Sequence, residues 1–381
     1  MKDVFQIRAG DIDIPNPIAL SPMAGITDAD YALENAQNAG LVILGSYNLD
    51  EISIEAAKET VLRNRKEFIF EKPLDAIGNE IKKYRENEEG NAALAVSVRG
   101  LSIEKLVEAA NFFKEKNVIM ELDVHCRQPE FTERGLGQGH LRNIDLLKEI
   151  VTEIKKTGVV LSVKFRSTVA PPEIVALFFD SLWADIIHID AMIDGGGPDI
   201  NAIKSVRNVT KKLIIANNSV TEFSVAKEFF TNGADIVSVA RGTKDKNLIT
   251  TLVNRITERQ IDTGWYNSPS HICRGGDNRG LAFCCPPVKN CRLLYKLEEV
   301  GLSPEEFINI KASAVKGTLL EYGDSTCFGS LAWCCKASKP CYIRDGTLKQ
   351  LNLSKPEYSK LKKQMSEKIV DKIFEKGLEA A

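Results

Sequence analysis

Eight short apolar runs, each followed by a stretch of helical periodicity, occupy the first two thirds of this 381-residue chain. They lie at 17–21, 41–45, 92–98, 118–124, 159–165, 185–190, 212–217 and 235–240. Between them apolar side chains recur at three- and four-residue intervals, as in Ile103, Leu106, Val107, Ala110 and Phe113, or Val225, Ala226, Phe229 and Phe230. Strand alternating with helix requires parallel neighbours, because the crossover helix returns the chain to the same end of the sheet. The runs are continuously apolar rather than alternating, which predicts strands covered on both faces. Eight such units in about 250 residues match the count and size of a closed (β/α)8 TIM barrel of the α/β class. An open doubly wound sheet meets the same alternation and is the alternative fold.

The chain is longer than one hydrophobic core usually serves, so a further domain is expected beyond the barrel. The division predicted is a barrel over 1–262, a small cysteine-rich, mainly helical domain over 263–350 and a Lys-rich C-terminal helix over 351–381. Cysteine usage marks the same boundary: of nine cysteines, Cys126 alone precedes residue 270 and the other eight fall between Cys273 and Cys341. Charge divides there too, with 18 Lys and Arg against 13 Asp and Glu in residues 271–381, and 32 against 39 in residues 1–270. A polyanionic partner would therefore meet the C-terminal part, although a solvated Lys-rich helix near 360–376 accounts for the same excess. The 44% hydrophobic and 27% charged residues exclude an extended disordered chain. No run of about 18 apolar residues occurs, and the densest stretch, 174–187, is broken by Asp180 and Asp185, so no membrane partner is expected. The N-terminus carries Asp3 and no apolar h-region, which argues for a cytoplasmic, reduced chain rather than a secreted, disulfide-bonded one.

In a closed parallel barrel the chemistry gathers on the loops that follow the strands. Those positions hold Ser21-Pro22-Met23-Ala24-Gly25, then Ser97 and Arg99, then Asp123, His125 and Cys126, then Lys164 and Arg166. They continue with Asp190 and the glycines 195–197, with Asn217-Asn218, and with Arg241-Gly242. Such reactive residues at consecutive strand ends exceed what a structural barrel needs. Lys164, between Val163 and Phe165, would be costly to bury unless an anion met it. Arg241 offers charge to a phosphate, and Asn217 and Ser219 offer donors, in the two loops where barrels often bind one. Ser219 and Thr221 are equally good helix caps. Residues 195–197 either admit close approach of a ligand or form a turn before a helix starting near Pro198.

These residues carry a resemblance. The run 18–28, Ile-Ala-Leu-Ser-Pro-Met-Ala-Gly-Ile-Thr-Asp, resembles the first strand and turn of the tRNA-dihydrouridine synthases, FMN-dependent barrel enzymes related to the dihydroorotate dehydrogenases. The run 121–129, Glu-Leu-Asp-Val-His-Cys-Arg-Gln-Pro, with Arg134, Gly137 and Gln138, is similar to that family's catalytic-cysteine loop. Val163-Lys164-Phe165-Arg166 resembles its FMN-contacting lysine and nearby arginine, and Ile215-Ala216-Asn217 with Ala240-Arg241 resembles its phosphate loops. The similarity runs in order over residues 12–250. It implies FMN held by Ser21, Pro22, Met23, Ala24, Ser97, Asp123, Lys164, Arg166, Asn217, Asn218 and Arg241. It further implies that NAD(P)H reduces the flavin and that hydride then passes to one carbon of a polarised double bond. Cys126 is the candidate acid for the neighbouring carbon, and Asp190 a candidate substrate anchor or proton carrier. A strand-end cysteine is otherwise inert packing and such an aspartate otherwise a cap. Neighbouring His125, Arg127 and Lys164 would favour the thiolate. The sequence departs from the family with Ser97 for Gln, Asp123 for Asn, His125-Cys126-Arg127-Gln128-Pro129 for Gly-Cys-Pro, Asp190 for His, and Asn218 and Ala240 for phosphate-loop glycines. A small unsaturated molecule and tRNA uridine are therefore both substrate candidates.

The tail cysteines form a repeat. Cys273, Cys284, Cys285 and Cys291 are echoed by Cys327, Cys334, Cys335 and Cys341, and Leu281-Ala282-Phe283 before the first pair by Leu331-Ala332-Trp333 before the second. Two sets of four thiols in a reduced compartment argue for metal ligation, with [4Fe-4S] clusters expected and zinc or redox-active thiols as alternatives. Clusters beside a flavin would connect the barrel to a ferredoxin-like electron donor. Zinc would make the tail a structural clamp or an RNA-facing knuckle. Cys273-Arg274-Gly275-Gly276-Asp277 and Cys284-Cys285-Pro286-Pro287-Val288-Lys289 resemble the methanogenesis marker 9 domain of methane-producing archaea, which implies an anaerobic archaeal cytoplasm. The sequence therefore reads as an FMN-dependent oxidoreductase with an iron-sulfur module. Its alternatives are a tRNA-dihydrouridine synthase and a flavin-free metal-binding or assembly protein linked to methanogenesis.

Overall fold

The computed structural model describes residues 4–193, 195–267, 278–283, 296–323, 330–334 and 339–379. Two compact units are present, one running to Phe230 and resuming over Ala234–Arg255, the other made of Thr231–Gly233 and the residues from Ile256 onward. The compositional break at 262–263 falls at the end of the helix Leu248–Thr263, close to that division.

The first unit opens with a hairpin of β1 (Ile7–Ala9) and β2 (Ile12–Ile14), paired antiparallel about Gly10, whose φ of 56° suits the turn. No apolar run announced it, because three-residue strands are too short to show a period. Eight parallel strands follow: β3 (Ile18–Leu20), β4 (Leu41–Asn48), β5 (Ala93–Arg99), β6 (Ile119–Val124), β7 (Leu161–Arg166), β8 (Ile186–Asp190), β9 (Leu213–Asn217) and β10 (Ile236–Val239). They pair in the order β10-β3-β4-β5-β6-β7-β8-β9, and β10 closes the ring on β3 with Val237 opposite Ile18 and Val239 opposite Leu20. The closed (β/α)8 TIM barrel is therefore the fold, and the open sheet is excluded. Every residue of β4 through β8 is buried. Helices cover the outer face and the lumen covers the inner one, so both faces are buried, although β6 and β7 alternate apolar with polar residues where continuously apolar runs were expected.

Alternation along β7 sends Leu161, Val163 and Phe165 outward and Ser162, Lys164 and Arg166 into the lumen. That lumen is more polar than the layers of branched aliphatic side chains usual for the fold. Ser162 Oγ donates to Glu121 Oε2 at 3.1 Å, His188 Nδ1 lies 2.7 Å from the same oxygen, and His188 Nε2 lies 3.0 Å from Ser238 Oγ. Burial, helped by the Lys164 charge, pushes His188 down to about 4, against the pull of Glu121. Burial opposes ionisation of Glu121, but His188 and Lys164 outweigh it and hold the carboxyl below its ordinary value. A neutral imidazole thus donates from Nδ1 and accepts at Nε2, tying β6, β8 and β10 together across the barrel.

The second unit contains the helices Pro304–Val315, Tyr342–Gln350 and Lys355–Glu379. The last, read from its lysines as a solvated helix, is solvated along one face only. Ile369, Val370 and Ile373 are buried with Leu281, Leu302 and Phe307, while Tyr358 and Met365 are buried with Leu320, Leu331 and Leu348. Even Lys362 is only 3% exposed, donating to the carbonyls of Ala332 and Cys334 at 2.8 and 2.5 Å. No helix is long and apolar enough to cross a membrane among the described residues.

His140, in the turn Gly137–Arg142, is buried, and neither ring nitrogen has a hydrogen-bond partner among the described residues. Burial pushes it from 6.5 down to about 4. The unfolded chain therefore takes up a proton near 6.5 that the folded chain refuses until about 4. The stabilising contribution is complete above that window and is lost as the pH falls through it, by about 3 kcal/mol in total. Urea unfolding between about pH 7 and pH 4.5 should show the fall, and His140→Met should make it shallower, the share from His188 remaining. An unaltered slope in the variant would remove His140 from the account.

Candidate active site

The loops after the barrel strands enclose a cavity of about 820 Å³, within the range of about 300–1,000 Å³ usual for small-molecule sites. Ser21, Pro22, Met23 and Ala24 line it after β3, Asp123 and Cys126 from the end of β6, and Lys164 and Arg166 from β7. Asp190, Asn217, Asn218 and Arg241 complete it from β8, β9 and the loop after β10. Ser97 was expected here and is elsewhere: it lies two positions before the end of β5, fully buried, with its Oγ 2.9 Å from Ser46 Oγ. Arg99, the last residue of β5, lines the cavity in its place. Ser46 also lines it, turned inward by an irregularity in the pairing of β4 with β5 at Gly45 and Tyr47. Gly45 has φ 105°, and a Cβ there would sit 2.4 Å from the Ser97 carbonyl oxygen, so glycine is required.

Two buried ionic networks shape the cavity. The first centres on Arg99, whose Nε donates to Asp123 Oδ2 and Nη1 to Glu67 Oε2, both at 2.8 Å. None of the three side chains is more than 5% exposed. Ser46 Oγ also donates to Asp123 Oδ2 at 3.0 Å, while the backbone N–H groups of His125 and Cys126 donate to Oδ1 at 2.9 and 3.0 Å. The guanidinium stacks over Phe131, 4.4 Å from its centroid. Burial disfavours ionised Asp123, but Arg99 and His125 win and hold it well below the usual carboxylate range. Burial pushes Glu67 up, and Arg99 offsets part of the shift. Glu67 belongs to a strap between the helices Glu51–Leu62 and Pro73–Asn87. Asn48 Nδ2 donates to the Phe68 carbonyl at 2.9 Å, and the Tyr47 and Phe68 rings stack at 4.6 Å, fixing the strap.

The second network centres on Asp190. Its Oδ2 lies 3.0 Å from Arg166 Nη2 and 3.2 Å from His125 Nε2, and Oδ1 accepts from Asn218 Nδ2 at 3.0 Å. Burial opposes its charge, but His125, Arg166 and Asn218 push the carboxyl far below its ordinary value. A carboxylate held ionised in this way anchors its neighbours and does not carry protons near neutral pH. Asn218 has φ 136° and Ser219 φ 50°, so the backbone after β9 keeps a glycine-like conformation without a glycine. The Asn218 side chain, bonded to Asp190 and to Ser219 Oγ at 2.6 Å, fixes it there.

Lys164 is 2% exposed and donates to Ser21 Oγ at 2.8 Å, from the strand directly across the ring; it has no other hydrogen bond among the described residues. Burial pushes its ammonium down, and Glu121, Asp190 and Asp123 work against that. Cys126 is buried among Ala56, Ala57, Phe131 and Leu136. Burial pushes its thiol up, Arg99 and the Gln128 backbone N–H counter in part, and Asp123 and Glu67 add to the rise. The direction is that of the candidate acid rather than the thiolate alternative, with burial the largest cause and the opposing cation, Arg99, shared by two carboxylates. At the mouth, Arg65, Lys66, Arg127 and Arg241 line the cavity with no side-chain partner among the described residues.

Of the eight tail cysteines, Cys273, Cys284, Cys285, Cys291, Cys327 and Cys335 lie outside the described residues. Cys334 has the buried Arg344 Nη1 3.9 Å from its Sγ, and Cys341 precedes the helix Tyr342–Gln350. No group of three or more His, Cys, Asp or Glu is arranged to hold a metal among the described residues.

No protein-family model matches the chain. An uncharacterized protein of Methanocaldococcus jannaschii, MJ0144, is 35% identical over 230 residues, 59% of this chain and 88% of its own length. The chain belongs to the MJ0144 family. A second protein of that organism, uncharacterized protein MJ0115, is 58% identical over 107 residues, 28% of this chain and 69% of its own. A probable tRNA-dihydrouridine synthase of Rickettsia bellii is 23% identical over 252 residues, 63% of this chain and 71% of its own. Among solved structures, dihydroorotate dehydrogenase of Eimeria tenella in complex with ferulenol superposes with a TM-score of 0.51 at 13% identity, covering 68% of this chain and 87% of that one, which shows the shared barrel fold.

Within this MJ0144-family barrel, Ser46 and Glu67 are among the cavity residues that strand-end reasoning missed, as are Arg65 and Lys66 beside Glu67. A bulge brings in Ser46, and a strap far from any strand end brings in Glu67 and its neighbours. Asp123→Asn leaves Arg99 with one carboxylate in a buried setting and should cost about 3–5 kcal/mol of stability, measured by urea unfolding. A loss under about 1 kcal/mol would mean the network is relaxed by solvent.

Proposed function

We propose that the barrel is an FMN-dependent oxidoreductase that delivers hydride to an unsaturated substrate. Lys164 carries the reading: a lysine buried at the cavity floor with one hydroxyl as its hydrogen-bond partner suits an electron-rich ligand atom. The cavity has the volume for a nucleotide. Ser21, Pro22, Met23 and Ala24 would flank the ring system and Arg166 would stay fixed by Asp190. Asn217, the backbone around Asn218 and Arg241 would meet the phosphate. A bound flavin would supply the two-electron chemistry, taken from NAD(P)H or a ferredoxin-like donor. This chain's own contribution would be a protonated Cys126, whose raised thiol suits donation to the carbon next to the one receiving hydride. Asp123 would aim it through the 3.0 Å bond to its backbone N–H.

The eight tail cysteines extend the proposal to [4Fe-4S] clusters, with zinc as the alternative ligand set. Buried Arg344 beside Cys334 Sγ, and Lys362 donating to the Ala332 and Cys334 carbonyls, give that segment cationic surroundings suited to thiolate charge. The likeness of the repeat to methanogenesis marker 9, with relatives in Methanocaldococcus jannaschii, supports a place in an archaeal cytoplasm. A second reading, reduction of uridine in tRNA, is favoured by the four unpartnered cations at the mouth and by the relatives described as probable tRNA-dihydrouridine synthases. Its mark would be tRNA binding that weakens steeply with salt.

Protein isolated without oxygen should show flavin absorbance with a broad iron-sulfur shoulder. Colourless protein with stoichiometric zinc would defeat both redox assignments and favour a metal-binding or assembly role. Lys164→Ala should weaken flavin retention roughly 10- to 100-fold, the worth of a charged hydrogen bond. Cys126→Ala should leave flavin reduction intact and block reoxidation by substrate, as stopped-flow absorbance would record.

A further inference from the structure

We propose that Arg99 is a positioning residue for the Cys126 thiol and that Glu67, on the strap, is its latch, so that docking of the strap keeps the thiol in its proton-donating form. The inference builds on the reading of Cys126 as an acid and extends it to residues that touch no reacting atom.

The geometry is a chain of contacts. Glu67 Oε2 accepts from Arg99 Nη1 and Asp123 Oδ2 from Arg99 Nε, each at 2.8 Å, while Asp123 Oδ1 accepts the Cys126 N–H at 3.0 Å. Arg99 therefore divides its charge between an anion on β6 and an anion on the strap. The strap lies close against the β3 loop: a Cβ at Gly25 would lie 2.4 Å from the Glu67 nitrogen and the Lys66 carbonyl carbon, so the two backbones are in contact. Gly25 has φ 68°, which also calls for glycine.

Around the thiol, β5 contributes Arg99, β6 contributes Asp123, the strap contributes Glu67, and the helix Glu51–Leu62 contributes only Ala56 and Ala57. His125 and Arg127 flank it in sequence, His125 turned to Asp190 at 3.2 Å and Arg127 exposed. His140, buried in the following turn, lies within the field of Asp123. With the strap docked, two carboxylates offset one guanidinium beside the sulfur. With Glu67 withdrawn, Arg99 is half as compensated and its field favours thiolate. Strap docking and proton-donor competence are thus one event, and a ligand that settles under the strap would find the acid already charged with its proton.

The experiment follows iodoacetamide alkylation of the Cys126 peptide by mass spectrometry across pH, on full-length protein as purified, with flavin content recorded by absorbance. Glu67→Gln should move the profile to lower pH and speed alkylation at neutral pH at least about threefold. Arg99→Gln should move it to higher pH and slow alkylation by about as much, since each unit of displacement is tenfold in thiolate. Opposite signs are the decisive feature, because a merely loosened loop would expose the thiol and speed alkylation in both. Glu67→Asp, which restores the charge, should return the profile toward the parent. If Arg99→Gln does not fold, the Glu67→Gln and Glu67→Asp pair decides. Two variants moving the same way, or a Glu67→Gln profile that coincides with the parent, would overturn the proposal. Colourless protein with opposite shifts would uphold it while removing the flavin assignment.

Discussion

A parallel sheet that closes on itself gives half of its side chains nowhere to go but the lumen, and most of this site follows from that constraint. The ring is narrow enough that residues on opposite strands touch: Lys164 from β7 reaches Ser21 after β3 at 2.8 Å. Glu121, His188 and Ser238 likewise link β6, β8 and β10. Polar groups in such a space must satisfy one another, because an unmet buried charge costs several kcal/mol. The alternation that fills the lumen also decides what stands at the rim, since the last inward residue of each strand is the first to meet a ligand. Asp123, Lys164, Arg166 and Asp190 are the upper ends of the same rows that hold Glu121, Ser162 and His188 below.

This explains what could be read in advance. The eight strands were visible because a strand covered on both sides is rich in apolar residues, and the rim residues because they sit at the end of each run or just past it. What stayed hidden obeys no period. Ser46 reaches the cavity through a bulge, and Glu67 arrives on a strap whose backbone contacts are set by Gly25 and Tyr47. Ser97 was misplaced for a geometric reason: strand ends are uncertain by a residue or two, and two positions in a barrel strand separate the rim from the layer beneath. In the second unit, lysine count concealed an apolar stripe, because Tyr358, Met365, Ile369 and Ile373 are diluted over the 25 residues of Lys355–Glu379.

The departures from the dihydrouridine-synthase pattern come with compensations in space. Asp123 stands where that family typically carries Asn, and its extra charge is met by Arg99, two residues past another departure at Ser97. Asn218 replaces a phosphate-loop glycine yet keeps φ 136°, with its side chain bonded to Asp190, itself a departure. Four changes that look scattered along the chain therefore fall into two contact groups, Ser97 and Asp123 joined through Ser46, and Asp190 with Asn218. The backbone after β9 keeps a glycine-like conformation despite Asn218, while the side chains of Asp123 and Asp190 are committed to partners within the site.

The protonation of Cys126 shows why counting charges along a sequence misleads here. His125 and Arg127 flank it and Lys164 stands on the next strand, a composition that would favour thiolate. In space His125 pairs with Asp190, Arg127 points to solvent, and Lys164 faces Ser21 and the carboxylates of the lumen. The cation that does act on the sulfur, Arg99, is already engaged by Asp123 and Glu67. Burial then has the deciding voice and raises the thiol. A nucleophilic cysteine would need the reverse arrangement, an uncompensated cation at an open position. The surroundings of Cys126 instead favour the protonated thiol, which is the form the proposed acid role requires.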